Sequence, residues 1–185
     1  MKRKIKKICA VFVIIVLLPY IITIFMNGKS IEANQDGKNG YIKVKTKSGT
    51  KEVPLKEYCI GTLAKEISVD FEEEALKAQA VIVRTTIYKK IEEEGNKAVM
   101  TERFFTKSDM KNQWGRSTFQ KNYKKLERVW NETDGQVVMY NGQLAMVPFH
   151  QLSNGKTRIG KEVLGTDEYP YLQMKECPKD VEADG

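Results

Sequence analysis

Between Asp70 and Gly95 the chain carries a helical repeat that leaves few options for the rest of the fold. Leu76, Ala80, Val83, Ile87 and Ile91 recur at spacings of three and four, the period of one helix face. From Ala78 to Val83 every residue apart from Gln79 is small or apolar, so the middle of a helix over 71–94 is expected to be covered on all sides. Asp70 is placed to cap it, Glu73 follows at capping-box spacing, and Gly95 ends it. A helix of about six turns with so little exposed surface requires a domain built around it.

The flanking segments supply partners. "YIKVKTKSGTKEV" alternates Ile42, Val44 and Thr46 with lysines across a Ser48-Gly49 turn, which predicts a hairpin. Pro54 suits a first helical turn, and Leu55, Cys59, Thr62 and Glu66 follow on one face of a helix over 54–66. Residues 96–128 are polar with scattered aromatics and read as mixed loop and helix. "GQVVMYNGQLAMVPF" then gives two apolar runs around Asn141-Gly142, the signal of a type I′ hairpin, and delivers the chain to the turn-rich "HQLSNGKTR". The expected fold class is α+β: one domain over 41–185, with the long helix packed on hairpin strands.

Ahead of this domain stand three further segments. Residues 1–7 carry five basic side chains and no acid, residues 8–26 carry no charge, and residues 27–40 are rich in Gly, Asn and Lys. This is the order expected of a cytoplasmic tail, a single transmembrane anchor and a flexible linker, with the domain on the outer side. The tail also accounts for most of the +7 net charge. Removing its five basic residues from 31 leaves 26 against 24 acidic ones, so a nucleic-acid partner is not expected. Three cysteines, one of them in the apolar run, make no disulfide framework, although Cys59 and Cys177 are free to pair. A single histidine, His150, leaves a Cys/His zinc site short of ligands, and neither metal nor cofactor is expected.

Glu66 stands apart. A carboxyl at the end of an apolar helical stripe loses water and meets the negative end of its helix, and both raise its pKa. It could then hold a proton near neutral pH, as a general acid for a glycosidic oxygen must. On pattern alone it could equally pair with Arg84 or cap a backbone group. Lys77 and Arg84, two turns apart on one line of the long helix, project in the same direction, either toward an anionic or hydroxyl-rich ligand or into solvent.

"VPLKEYCIGTLAKEISVDFEEEALKAQAVIVRT" resembles the signature of the stage II sporulation protein D family, which includes the amidase-enhancer domains. There a "YLxGVVxxEMPxxW" segment precedes "EALKAQAVAARTY", and Tyr58, Gly61, Glu66, the run from Glu74 to Val81, Arg84 and Thr85 all fit. "TDGQVVMYNGQLAMVPFHQLSNGKT" is similar to the family's "T.GxVLxYxGxPIxAxFHSxSGGxT", and "YPYLQMKECPKD" to its "pYLxxVxsPxD". Ile67-Ser68 stands where the family has Met-Pro. Members also continue to a "GHGVGMSQ"-like segment and a closing helix that these 185 residues do not include, so a fragment or a short form is expected.

The resemblance implies a membrane-anchored lytic transglycosylase that cleaves the MurNAc to GlcNAc bond of peptide-stripped peptidoglycan during engulfment or wall remodelling. It makes Glu66 catalytic and gives Lys77, Arg84, His150, Ser153 and Thr157 the task of orienting the sugar. Glycan strands and other membrane-bound wall hydrolases are the implied partners. The alternative that it admits is a non-catalytic wall-binding module that regulates a partner hydrolase.

Overall fold

The structure is a computed structural model and describes residues 40–101 and 103–182; the tail (1–7), the anchor (8–26) and all but the last residue of the linker (27–40) lie outside them. No helix among the described residues is long and apolar enough to cross a membrane. Strands β1 (Tyr41–Thr46) and β2 (Gly49–Pro54) form the expected antiparallel hairpin. Ile42 and Val44 point into the core while Lys43 and Lys45 face solvent. Thr46 pairs with Gly49, so the turn residues are Lys47 and Ser48, one position earlier than the sequence pattern suggests.

Helix α1 (Leu55–Glu66) follows directly on Pro54, and α2 (Glu73–Glu94) is the long central helix, ended by Gly95 at φ 56°. The short strand β3 (Val99–Thr101) then returns to lie parallel to β1, giving a three-stranded sheet in the order β2-β1-β3. The mixed region resolves into α3 (Lys107–Trp114), capped by a Thr106/Asp109 box, and α4 (Arg116–Glu132). Strands β4 (Met139–Tyr140) and β5 (Gln143–Leu144) close over Asn141 and Gly142, both at positive φ as a type I′ turn requires. A single turn, α5 (Gly160–Leu164), lies in the last segment.

Three expectations change. The α+β class stands, but the main partners of α2 are the helices α1 and α4, with β5 of the second hairpin a smaller contact. Nor is its middle covered on all sides: Gln79, Ala80 and Val83 are buried, Val81 and Ile82 half-buried, and Ala78 exposed, because the packed helices cover part of its circumference only. Asp70 also does not cap α2. The cap position is Glu72, without a side-chain bond, while Asp70 accepts a 3.4 Å hydrogen bond from Ser68 Oγ. The loop is fixed from elsewhere: buried Val69 draws it inward, and Lys125 Nζ on α4 donates to the carbonyls of Val69 (2.7 Å) and Phe71 (3.0 Å).

Arg84 ties the helices together. It is only 1% exposed, its guanidinium lies 4.0 Å from the centre of the Trp130 ring, and it donates to the carbonyls of Trp130 (2.8 Å), Thr133 (2.7 Å) and Gln136 (3.2 Å). The carbonyls of Trp130 and Thr133 lie at the negative end of α4, where a cation is favoured, and that of Gln136 just beyond it. Lys77 faces the same end, bridging Glu74 (3.0 Å) on its own helix and Glu132 (3.0 Å) on α4. The next residue, Thr85, receives the Val138 amide at 2.9 Å and so fixes the chain leading into β4. Arg84 and Lys77 thus hold α2 to α4, Arg84 through Nη1 and Nη2 with Nε left without a partner among the described residues, and Lys77 while also pairing with Glu74 of its own helix.

Gly61 sets how closely the segment after β3 can approach α1. A Cβ there would meet the Phe105 carbonyl oxygen and lie 2.9 Å from Phe104 Cδ2, while Phe105 N donates to Gly61 O at 3.0 Å. Gly61→Ala is therefore expected to destabilise the domain by about 1–3 kcal/mol, since the obstructing atom is backbone and cannot rotate away. Arg84→Met should cost about 3 kcal/mol or more, because it strips donors from buried carbonyls. Urea unfolding of each variant beside the parent measures both.

Candidate functional site

A groove with a cavity of ≈ 430 Å³ opens where α1, α2, the end of β3 and the segment after β5 converge. Glu66 lies in it, at the last turn of α1, half-buried. Its floor is the edge of the apolar core, including Val83 and Met100. The far wall is residues 145–149, held by Ala145 N donating to Val138 O (3.0 Å) and by Tyr171, whose hydroxyl oxygen receives the Met146 amide (2.7 Å) and donates to the Met146 carbonyl (3.2 Å). Phe149, 40% exposed, stands at the rim of this wall with an apolar face available to a ligand.

Burial pushes the carboxyl of Glu66 above its ordinary value of 4.5, because the ionised form gives up water on leaving solvent. Two weaker influences oppose it. Gln79, 4% exposed on α2, donates its Nε2–H to Glu66 Oε2 at 2.8 Å, and the positive charge of Arg103 acts on the same carboxyl. The balance is upward. Glu66 thus neither pairs with Arg84 nor caps a helix. The loop after it, which lacks the family's proline, takes its restraint from Lys125.

The other residues expected at the site are divided. His150 is exposed and directly follows Phe149, and its charge helps to lower the pKa of the Asp180 carboxyl, after the larger effect of hydrogen bonds from Ser153. Ser153 donates to Asp180 Oδ2 through both its hydroxyl (2.7 Å) and its amide (2.9 Å). Thr157 is joined to the 173–175 segment, receiving Lys175 N at 2.8 Å on Oγ1. Ser153 and Thr157 therefore pin the last segment of the chain rather than present free hydroxyls. Gln151 reaches the backbone of Glu66 with a long 3.4 Å bond. Cys59, fully buried, and Cys177 are both free thiols, and no cluster that could hold a metal occurs among the described residues.

Four contributors escaped the sequence. Gln79 had a signal, being the one polar residue in an apolar run. Lys125, Arg103 and Tyr171 had none, because their partners lie far away in the chain.

Comparison with known proteins agrees with this arrangement. A family model described as Stage II sporulation protein matches residues 43–140, more than half of the chain, from within β1 to the end of β4. Stage II sporulation protein D of Bacillus subtilis (strain 168) is 34% identical over 140 residues, covering 69% of this chain and 40% of that protein. The protein of the same name from Bacillus amyloliquefaciens is 34% identical over 138 residues, with the same coverage. The chain spans about 40% of the length of these curated relatives. With Tyr58, Gly61, Glu66 and the Glu74–Thr85 run in the places that the pattern requires, this chain belongs to the stage II sporulation protein D family.

Proposed function

We propose that this chain is a lytic transglycosylase of bacterial peptidoglycan, acting in sporulation engulfment or cell-wall remodelling, on the outer side of a membrane to which residues 8–26 tether it. The observation that carries the proposal is the state of Glu66: a half-buried carboxyl, held above its ordinary pKa, in a groove with an apolar rim.

Such a group can perform both halves of the reaction. Protonated Glu66 gives its proton to the oxygen of the MurNAc to GlcNAc link as the bond to the anomeric carbon breaks. The resulting carboxylate then takes the proton of the same sugar's 6-hydroxyl as that oxygen attacks the anomeric carbon. The product is a 1,6-anhydro end, Glu66 is again protonated, and no water or second carboxylate is consumed. The intramolecular hydroxyl is already within reach of the anomeric carbon, which favours ring closure over hydrolysis. Gln79 holds the carboxyl in one orientation through both steps, since its amide can donate to either protonation state.

Peptide-free glycan incubated with the purified chain is expected to yield anhydro-ended fragments, detectable by mass spectrometry, and Glu66→Gln should lower the rate by about 10²-fold or more, as loss of general acid–base catalysis does. Equal product from the variant, or none from the parent, removes the enzymatic proposal. Glycan retained without cleavage would point instead to the wall-binding alternative.

The raised pKa also has a stability signature. The folded state holds the Glu66 proton more tightly than the unfolded chain does, so this group's contribution is fully present below about 4.5 and is lost as pH rises through the folded value. Glu66→Gln, which keeps an acceptor for Gln79 and carries no charge, is expected to gain stability relative to the parent as pH increases over that window. Unfolding curves of both proteins between about pH 4 and 8 test this.

A further inference from the structure

The charges around the groove are unevenly matched. Lys89 pairs with Glu93 at 2.9 Å and Lys90 with Glu94 at 3.7 Å, so these four largely cancel. That leaves Glu66 and Arg103. Arg103 has no salt bridge to any carboxylate among the described residues. With Glu66 protonated, as its chemistry requires, the guanidinium is the uncompensated charge of the cavity.

Its backbone is also well placed. Arg103 N donates to Thr101 O (2.8 Å), which in turn receives the Tyr58 hydroxyl (3.0 Å), and two residues later Phe105 N is bonded to Gly61 O. Both anchors sit on α1, the helix that ends at Glu66. A solvent-exposed side chain thus projects from a fixed base beside the acid. A guanidinium so placed suits a carboxylate, which it binds through two parallel N–H donors.

Resting on the glycan reading above, we propose that Arg103 is a specificity residue of this groove, binding a free carboxylate on the glycan, such as the lactyl group of a muramic acid from which the stem peptide has been removed. A stem peptide converts that carboxylate into an amide, which removes the charge and adds bulk at the guanidinium. Arg103 would therefore select stripped over peptide-bearing strands. Lys77 and Arg84 do not line this groove: Lys77 pairs with Glu74 and Glu132, and Arg84 donates to the carbonyls at the end of α4.

The test uses binding, so that it does not depend on cleavage. The full 185-residue chain carrying Glu66→Gln is mixed with peptide-free glycan, and separately with the same glycan after its carboxylates have been converted to amides by carbodiimide coupling. Amidation is expected to weaken binding about ten-fold or more, the scale of one charge-assisted hydrogen bond. Adding Arg103→Gln should weaken binding to the untreated glycan by a similar factor and make the two glycans equivalent, whereas Arg103→Lys should keep part of the preference.

Equal binding of the two glycans by the parent overturns the proposal. So does an undiminished preference in an Arg103→Gln variant with the parent's unfolding midpoint. If Arg103→Gln fails to fold, Arg103→Lys decides: a preference undiminished from the parent's overturns the proposal. Absence of anhydro products from the wild-type chain would sink the transglycosylase reading alone.

Discussion

The buried guanidinium of Arg84 is the contact on which the rest of the arrangement depends. A cation removed from water is costly unless it is well partnered, and here Nη1 and Nη2 donate to the carbonyls of Trp130, Thr133 and Gln136 at and just beyond the end of α4 and the guanidinium lies over the Trp130 ring, while Nε has no hydrogen-bond partner among the described residues. The same contact fixes α4 against α2, and Thr85 at the adjacent position fixes the chain entering β4. The far wall of the groove begins a few residues later. Arg84 therefore acts on the site through the position of that wall rather than by touching a ligand.

The proposed chemistry needs the opposite treatment of a charged group. Arg84 has acceptors on both of its terminal nitrogens; Glu66 is offered one donor, Gln79, and the charge of Arg103, and burial outweighs both. A second donor on the carboxylate would have lowered the pKa and turned a poised acid into an ordinary ion-pair partner. The sparseness of hydrogen bonding at Glu66 is thus part of what makes it useful, and the surrounding fold has to be rigid enough to sustain it. Gly61, by letting the 103–105 segment lie against α1, and Lys125, by holding the loop that follows Glu66, supply that rigidity from the two ends of the helix turn.

Local pattern made some of this legible in advance. The apolar stripe of α2, the helix ending at Glu66 and the Asn141-Gly142 turn are each encoded within a few residues, and all three are present. Helix α4 was hidden because its apolar positions, Phe119, Leu126, Val129 and Trp130, are embedded among lysines and arginines in a region of low overall hydropathy. Strand β3 is three residues long and gains its identity from β1, more than fifty positions earlier. Glu66 could be singled out as unusual, but Arg84 could not be assigned its partner, since the carbonyls that it binds lie 46 to 52 residues further on. The cap assigned to Asp70 failed for a related reason: Lys125, on another helix, controls that loop.

One geometrical relation does connect motif and role. An α-helix turns by about 100° per residue, so Lys77 and Arg84 lie roughly 160° and 140° around α2 from Gln79. Once Gln79 is bonded to Glu66, neither cation can reach the same groove without unwinding the helix. The residues of this one sequence motif are consequently divided between two opposite faces. Gln79, Val83, Thr86 and Lys90 look toward α1 and the groove, while Lys77, Val81 and Arg84 look toward α4. Positive charge for a bound ligand must then come from elsewhere than the α4-facing side of α2, which is why the segment after β3, carrying Arg103, matters to the chemistry of the site.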